Sequence, residues 1–119
     1  MDIKLYDSEL KVMEVLWEKG EGNALDIVTI LMERVGWSKS TAYTVLKKCV
    51  DKGAIERRSP GFYCIPLVTR GEVQQAETEE LIDKLFSGSS QLFFSAFLKN
   101  KGVSEKDAKK LLKLIEEHK

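Results

Sequence analysis

Residues 36–53 read GWSKSTAYTVLKKCVDKG, and this stretch decides the fold. Ser38 puts a side-chain oxygen where a helix starts. Gly53 supplies the residue at which a helix readily stops. Between them Ala42, Val45, Leu46, Cys49 and Val50 recur at i, i+3, i+4, i+7 and i+8. That apolar stripe is wide enough to pack on two neighbouring helices. The other side carries Lys39, Ser40, Thr41, Tyr43, Thr44, Lys47 and Lys48. Small, hydroxylic and aromatic groups dominate it where a merely solvated face would carry more Glu and Lys.

Moving towards the N-terminus, a helix is predicted over 24–35, with Asn23 and Asp26 as a capping pair. Its stripe is Ile27, Val28, Leu31, Met32 and Val35, and Gly36 ends it. Gly20 and Gly22 separate it from a first helix over about 9–18, capped by Ser8, with Leu10, Met13, Leu16 and Trp17 on one face. Only Gly36-Trp37-Ser38 links the second and third helices, which is the helix-turn-helix arrangement.

Moving towards the C-terminus, AIERRSPGFYCIPL (54–67) places strand formers on both sides of Arg57-Arg58-Ser59-Pro60-Gly61. Pro-Gly turns splay a tight two-residue hairpin, so a longer loop is expected. A basic-tipped hairpin after a helix-turn-helix is a wing, here about 56–62. Thr69 and Glu72 then form a capping box for a fourth helix of about 17 residues, with Val73, Ala76, Leu81, Ile82, Leu85 and Phe86 as its apolar positions. SGSS (87–90) breaks the chain before QLFFSAFLKN (91–100), and a last helix is expected over about 105–117. The expected architecture is mostly α. An N-terminal winged helix-turn-helix of three helices and a β-hairpin wing spans 1–68, and a C-terminal helical dimerisation arm spans 69–119.

The arm has its own physical argument. Leu92, Phe93, Phe94, Phe97 and Leu98, followed by Leu111, Leu112 and Ile115, are more apolar surface than three short helices can hide alone. Each such side chain gains about 1.5–3 kcal/mol on burial. A second copy of the chain is the expected cover.

Charge says where a partner would sit. The chain is neutral overall, yet residues 1–35 carry a net of −4, residues 36–68 a net of +4, and the remainder balances. A local basic field suits a focused anionic contact. No segment approaches the roughly 20 apolar residues of a membrane span, and MDIKLYDSEL lacks the apolar run of a secretory signal, so a cytoplasmic protein without membrane insertion is expected. Cys49 and Cys64 sit in apolar segments and have no CxxC spacing, so both are read as core residues. With one His, no metal-ligand spacing, no phosphate-binding glycine loop and no nucleophile motif, neither an enzyme nor a metal or cofactor is expected.

The polar face of the third helix fits a major groove. Short side chains allow close approach, Ser40, Thr41 and Thr44 can bond base edges, and a Thr methyl can meet a thymine methyl. Tyr43 can stack on a sugar, donate to a phosphate or touch a base. Lys39, Lys47, Lys48, Arg57 and Arg58 can neutralise phosphates. The reading is a double-stranded-DNA-binding homodimer whose recognition helix, about 39–52, enters the groove while the wing meets the backbone. Winged helices also serve as protein-contact adaptors, and that is the alternative.

Three segments, LYDSELKVMEVLWEKG, WSKSTAYTVLKKCVDKGAIERR and FYCIPLV, resemble the BlaI/MecI/CopY family of bacterial repressors, which control penicillinase, methicillin-resistance and copper-transport genes. The resemblance covers nearly the whole chain. It implies a homodimeric transcriptional repressor on an inverted-repeat operator, built in the best-known members on TACA and TGTA half-sites. It also implies a contact segment over Ser40, Thr41, Ala42, Tyr43 and Thr44. Penicillinase-type members carry Arg where this chain has Tyr43. Some members are inactivated by a cut in the tail under a membrane sensor protease; the matching bond here is Ala96–Phe97, with Ala96 in place of their Asn. The tail LLKLIEEHK lacks the Cys-x-Cys pairs of copper-responsive members, so no copper switch of that design is expected.

Overall fold

The computed structural model describes residues 3–101 together with 106, 107, 109, 110 and 113. The chain runs α1 (Asp7–Lys19), β1 (Gly22–Asn23), α2 (Ala24–Val35), α3 (Lys39–Asp51), β2 (Ile55–Arg58), β3 (Tyr63–Pro66), α4 (Arg70–Phe86) and α5 (Ser90–Lys101). Two compact units divide between Gln74 and Gln75, so the first turn of α4 belongs to the first unit.

Local chemistry sets most helix ends. Ser38 Oγ accepts the Thr41 N–H at 3.1 Å. At the other end of α3, Gly53 has φ +85°; its N–H donates to Val50 O and the Ala54 N–H to Cys49 O, both at 3.0 Å. That pair of bonds is a Schellman closure. Asn23 Oδ1 accepts the Asp26 N–H at 3.0 Å. Thr69 and Glu72 exchange both capping-box bonds at 3.1 Å. The start of α1 differs from expectation. Ser8 lies inside the first turn and does not cap it, because the Glu9 carboxylate reaches back to the Tyr6 N–H at 2.8 Å and starts the helix earlier.

The core of the first unit is the meeting of the three helical stripes. Val12, Met13 and Leu16 of α1, Ile27, Val28 and Leu31 of α2, and Ala42, Leu46 and Cys49 of α3 are fully buried, and Ile55 and Cys64 close the sheet side. Met32, expected in this core, is 39% exposed. One residue beyond Leu31 is a 100° turn of the helix, which carries it off the buried arc. Burial pushes the Cys49 thiol up to about 12 and the Cys64 thiol to about 11. Neither is a nucleophile at neutral pH.

The sheet has three antiparallel strands in the order β1-β3-β2. The β2–β3 hairpin was expected, with its loop longer than two residues. The third strand was not: Gly22 and Asn23 pair with Cys64 and Tyr63, and two such residues carry no apolar alternation to reveal a strand. The Ala24 N–H also donates to Phe62 O at 2.7 Å, and the Tyr63 hydroxyl donates to Glu21 Oε1 at 2.9 Å. The wing is thereby fastened to the start of α2. On the other side, Trp17 Nε1 donates to Val68 O at 2.9 Å, and Arg70 bridges to Glu14 at 2.6 Å with its guanidinium 5.5 Å from the Trp17 ring centroid.

One ion pair lies inside this frame. Lys52 Nζ sits 2.6 Å from Glu9 Oε1, with Glu9 only 3% exposed. The ammonium also donates to Lys4 O at 2.8 Å and lies 4.5 Å from the Tyr6 ring centroid. Burial opposes ionisation of Glu9, but the Lys52 bond, the Tyr6 N–H and the Lys52 and Lys48 charges outweigh it and hold the carboxyl below its ordinary 4.5. A lowered folded pKa stabilises the fold above the unfolded value, and that stability is lost as pH falls through the folded value. Glu9→Gln is expected to cost about 1.5–3 kcal/mol at neutral pH, the range for hydrogen bonds to charged groups. The gap from wild type should close below the lowered pKa, as read by urea unfolding at neutral and strongly acid pH. A gap that stays constant with pH would mean that the ionised pair is not its source.

In the second unit, Phe93 meets Phe86 edge-on at 5.5 Å between centroids and stacks on Phe97 at 6.4 Å. Ile82 and Phe94 are buried. Leu81, Leu85 and Leu92 are 41%, 63% and 59% exposed in the single chain. Leu111, Leu112, Ile115 and His118 lie outside the described residues.

Candidate nucleic-acid interface

The outer face of α3 is built by the same periodicity that buries its inner one. Ser40, Thr44, Lys47 and Asp51 fall at i, i+4, i+7 and i+11, with Thr41 and Lys48 beside them, and all six are exposed. At 1.5 Å per residue the 13 residues of α3 extend about 20 Å, enough to cross a major groove about 12 Å wide with its first two turns. Lys39 is exposed at the first helical position. Tyr43 is half-buried and packs on the core, so it borders the exposed face and does not stand at its centre.

Two of the three hydroxyls, those of Thr41 and Thr44, are already oriented. Thr44 Oγ1 donates to Ser40 O at 2.9 Å. Its hydrogen is engaged, so the exposed side chain has oxygen lone pairs and a methyl group left to offer. Thr41 is joined to Ser38 through both its N–H and its hydroxyl, at 3.1 and 3.0 Å. The N–H groups of Lys39 and Ser40, at the start of the helix, have no intrahelical acceptor. They add partial positive charge at the end of the face where the hydroxyls cluster.

The basic residues divide into two groups. Lys39, Lys47 and Lys48 share the α3 surface. Lys52, which contributed to the basic field counted from sequence, is turned inward to Glu9. Arg57 and Arg58 lie within β2, not at the hairpin tip, which is Ser59–Phe62. Consecutive strand residues point to opposite faces, so the two arginines leave the wing in different directions. Arg58 pairs with Glu56 at 2.7 Å, and Arg57 lies over Phe62 at 4.0 Å. The sequence reading missed Glu56 and Phe62. The first had a readable signal, since i and i+2 of a strand share a face. Among the dimerisation candidates, Leu92, Phe93, Phe94, Phe97 and Leu98 all lie on α5, and so does the Ala96–Phe97 bond, in the interior of the helix.

Three helices, a short turn, a three-stranded wing and an exposed cationic, hydroxylic helix face define a winged helix-turn-helix protein. A solved neighbour, the solution structure of the DNA-binding domain of the repressor BlaI, superposes with a TM-score of 0.55 at 27% identity, covering 60% of this chain and 90% of that one. Residues 5–117 match the penicillinase repressor family, and the chain belongs to it. Relatives include the penicillinase repressor of Bacillus licheniformis, 25% identical over 98% of this chain and 92% of its own length. The methicillin resistance regulatory protein MecI of Staphylococcus aureus is 23% identical over 97% and 98% respectively. The family is one of repressors, not of enzymes. Among the described residues no helix is long and apolar enough to cross a membrane.

Proposed function

We propose that this protein is a cytoplasmic transcriptional repressor that binds an inverted-repeat operator in double-stranded DNA as a homodimer. The observation that carries the reading is the outer face of α3: short hydroxyl groups, an open helix N-terminus and three lysines, on a chain whose family is that of repressors. In the complex, Ser40, Thr41 and Thr44 approach base edges in the major groove, with Tyr43 against the sugar-phosphate wall. Lys39, Lys47 and Lys48 take phosphates, and the wing arginines meet the backbone beyond. No Arg, Asn or Gln stands on the α3 face to make a bidentate contact with guanine or adenine. With the three lysines assigned to phosphates, the half-site is read through methyl groups and single hydrogen bonds, which sets it apart from half-sites read by an Arg in place of Tyr43.

The exposed leucines of the second unit support a second copy as the cover of the arm, residues 69–119, and twofold symmetry then matches a palindrome. Control by a sensor protease at Ala96–Phe97 requires α5 to unwind locally, since that bond lies in a helix.

Selection of bound sites from a random duplex pool tests the reading. The expected product is an inverted repeat whose half-sites are one helical turn apart or a multiple of it. Its affinity should exceed that of a scrambled duplex and fall steeply with salt. A pool without sequence preference and with a flat salt response would overturn the reading and is what the adaptor alternative predicts.

A further inference from the structure

The wing holds its two arginines in different states. Arg58 Nε lies 2.7 Å from Glu56 Oε2, so a phosphate approaching the remaining donors of Arg58 meets a carboxylate that offsets its charge and repels the incoming anion. Arg57 Cζ lies 4.0 Å from the Phe62 ring centroid, and among the described residues no carboxylate pairs with it. Phe62 is itself fixed. It is half-buried against the core, and its carbonyl accepts the Ala24 N–H at 2.7 Å. Its ring position is thus set by the frame of the domain and not by the exposed loop.

A guanidinium lying on an aromatic face keeps its N–H donors directed outward in its own plane. It has also given up much of its rotameric freedom before any ligand arrives, which lowers the cost of binding. Given the DNA-binding reading above, we infer that Phe62 is a positioning residue that holds Arg57 as the preformed phosphate contact of the wing. Arg58, neutralised by Glu56, contributes much less. A phosphate on its other donors sits beside the Glu56 carboxylate and gains less than one on Arg57.

The test uses the full chain and the selected operator duplex, with fluorescence anisotropy across a salt series. Arg57→Ala is expected to weaken binding about tenfold and to lower the salt slope by about one per subunit. Phe62→Leu keeps apolar bulk but removes the ring face. It is expected to weaken binding about three- to tenfold, in the range of a cation–π contact. Phe62→Tyr, which keeps the face, should restore wild-type affinity. The double variant Arg57→Ala/Phe62→Leu should bind no worse than Arg57→Ala alone. Arg57→Lys, with charge kept and stacking weakened, should lose about threefold or more, and it gives the answer even if Phe62→Leu does not fold.

Full additivity of the two losses would overturn the assignment, as would wild-type binding by Phe62→Leu, Arg57→Lys or Arg57→Ala. A wild-type protein indifferent to every duplex would overturn the repressor reading itself, an outcome distinct from all of these.

Discussion

Changing Leu85 and Leu92 together to Asp is expected to convert a dimer into a monomer and to lower affinity for the inverted repeat by about 10²- to 10⁴-fold. Both side chains are more than half exposed in the single chain. Burying the exposed part of each against a second copy would gain about 1–2 kcal/mol per subunit, and a buried carboxylate reverses that gain. The phenylalanines singled out from sequence are a poorer choice for the same experiment. Phe93 and Phe97 already pack on each other, and Phe93 on Phe86, so Asp there would disturb the fold of the unit as well as any interface. Sedimentation equilibrium reads the oligomeric state, and anisotropy on whole and half operators reads the affinity. Binding to a single half-site should be unchanged, because the loss is one of linkage between two sites and not of contact. A dimer that survives both changes would place the interface elsewhere.

Much of the first unit was legible because its signals are local. Ser38, Asn23, Gly36 and Gly53 each act within a few residues, and they fixed the ends of α2 and α3 and hence the short turn between them. The inner stripe of α3 followed from period alone. What escaped depended on partners distant in sequence. Lys52 looks like any other surface lysine until Glu9, 43 positions earlier, is brought beside it. Ser8 was a reasonable cap until that same Glu9 reached the Tyr6 N–H. The strand at Gly22–Asn23 exists only because β3 presents an edge to it.

The contact face was legible in its residue types but not in its orientations. Sequence placed Tyr43 among the exposed groups, whereas its ring packs on the core. It counted Arg57 and Arg58 as equal cations, although pleating separates them and Glu56 and Phe62 give them different partners. It gave Leu81 and Leu85 as apolar positions of one helix, and in the single chain both are exposed. A stripe shows which residues share a face, not whether anything covers it.

Neutralising Lys47 and Lys48 together, by substitution with Gln, is expected to weaken operator binding about 10³-fold near 0.1 M salt and to reduce the salt slope by about 3 to 4. The geometry explains why these two act as a pair. Successive helical residues are 100° apart, so the two lysines leave α3 on either side of the direction taken by Thr44. With Thr44 facing base edges, one ammonium is directed to the phosphates of each strand. A dimer then loses four contacts, each worth about 0.9 in the logarithmic slope. The effect differs in kind from a change at Thr44. Phosphate contacts carry no sequence information, so affinity for the scrambled duplex should fall alongside that for the operator, leaving the preference between them nearly intact. Lys48 also helps to hold Glu9 ionised, so urea unfolding of the variant must accompany the titration; near-wild-type stability is expected, since Lys52 remains the bonded partner of Glu9. An unaltered salt slope would show that both ammonium groups remain in solvent, and α3 would then lie outside the groove.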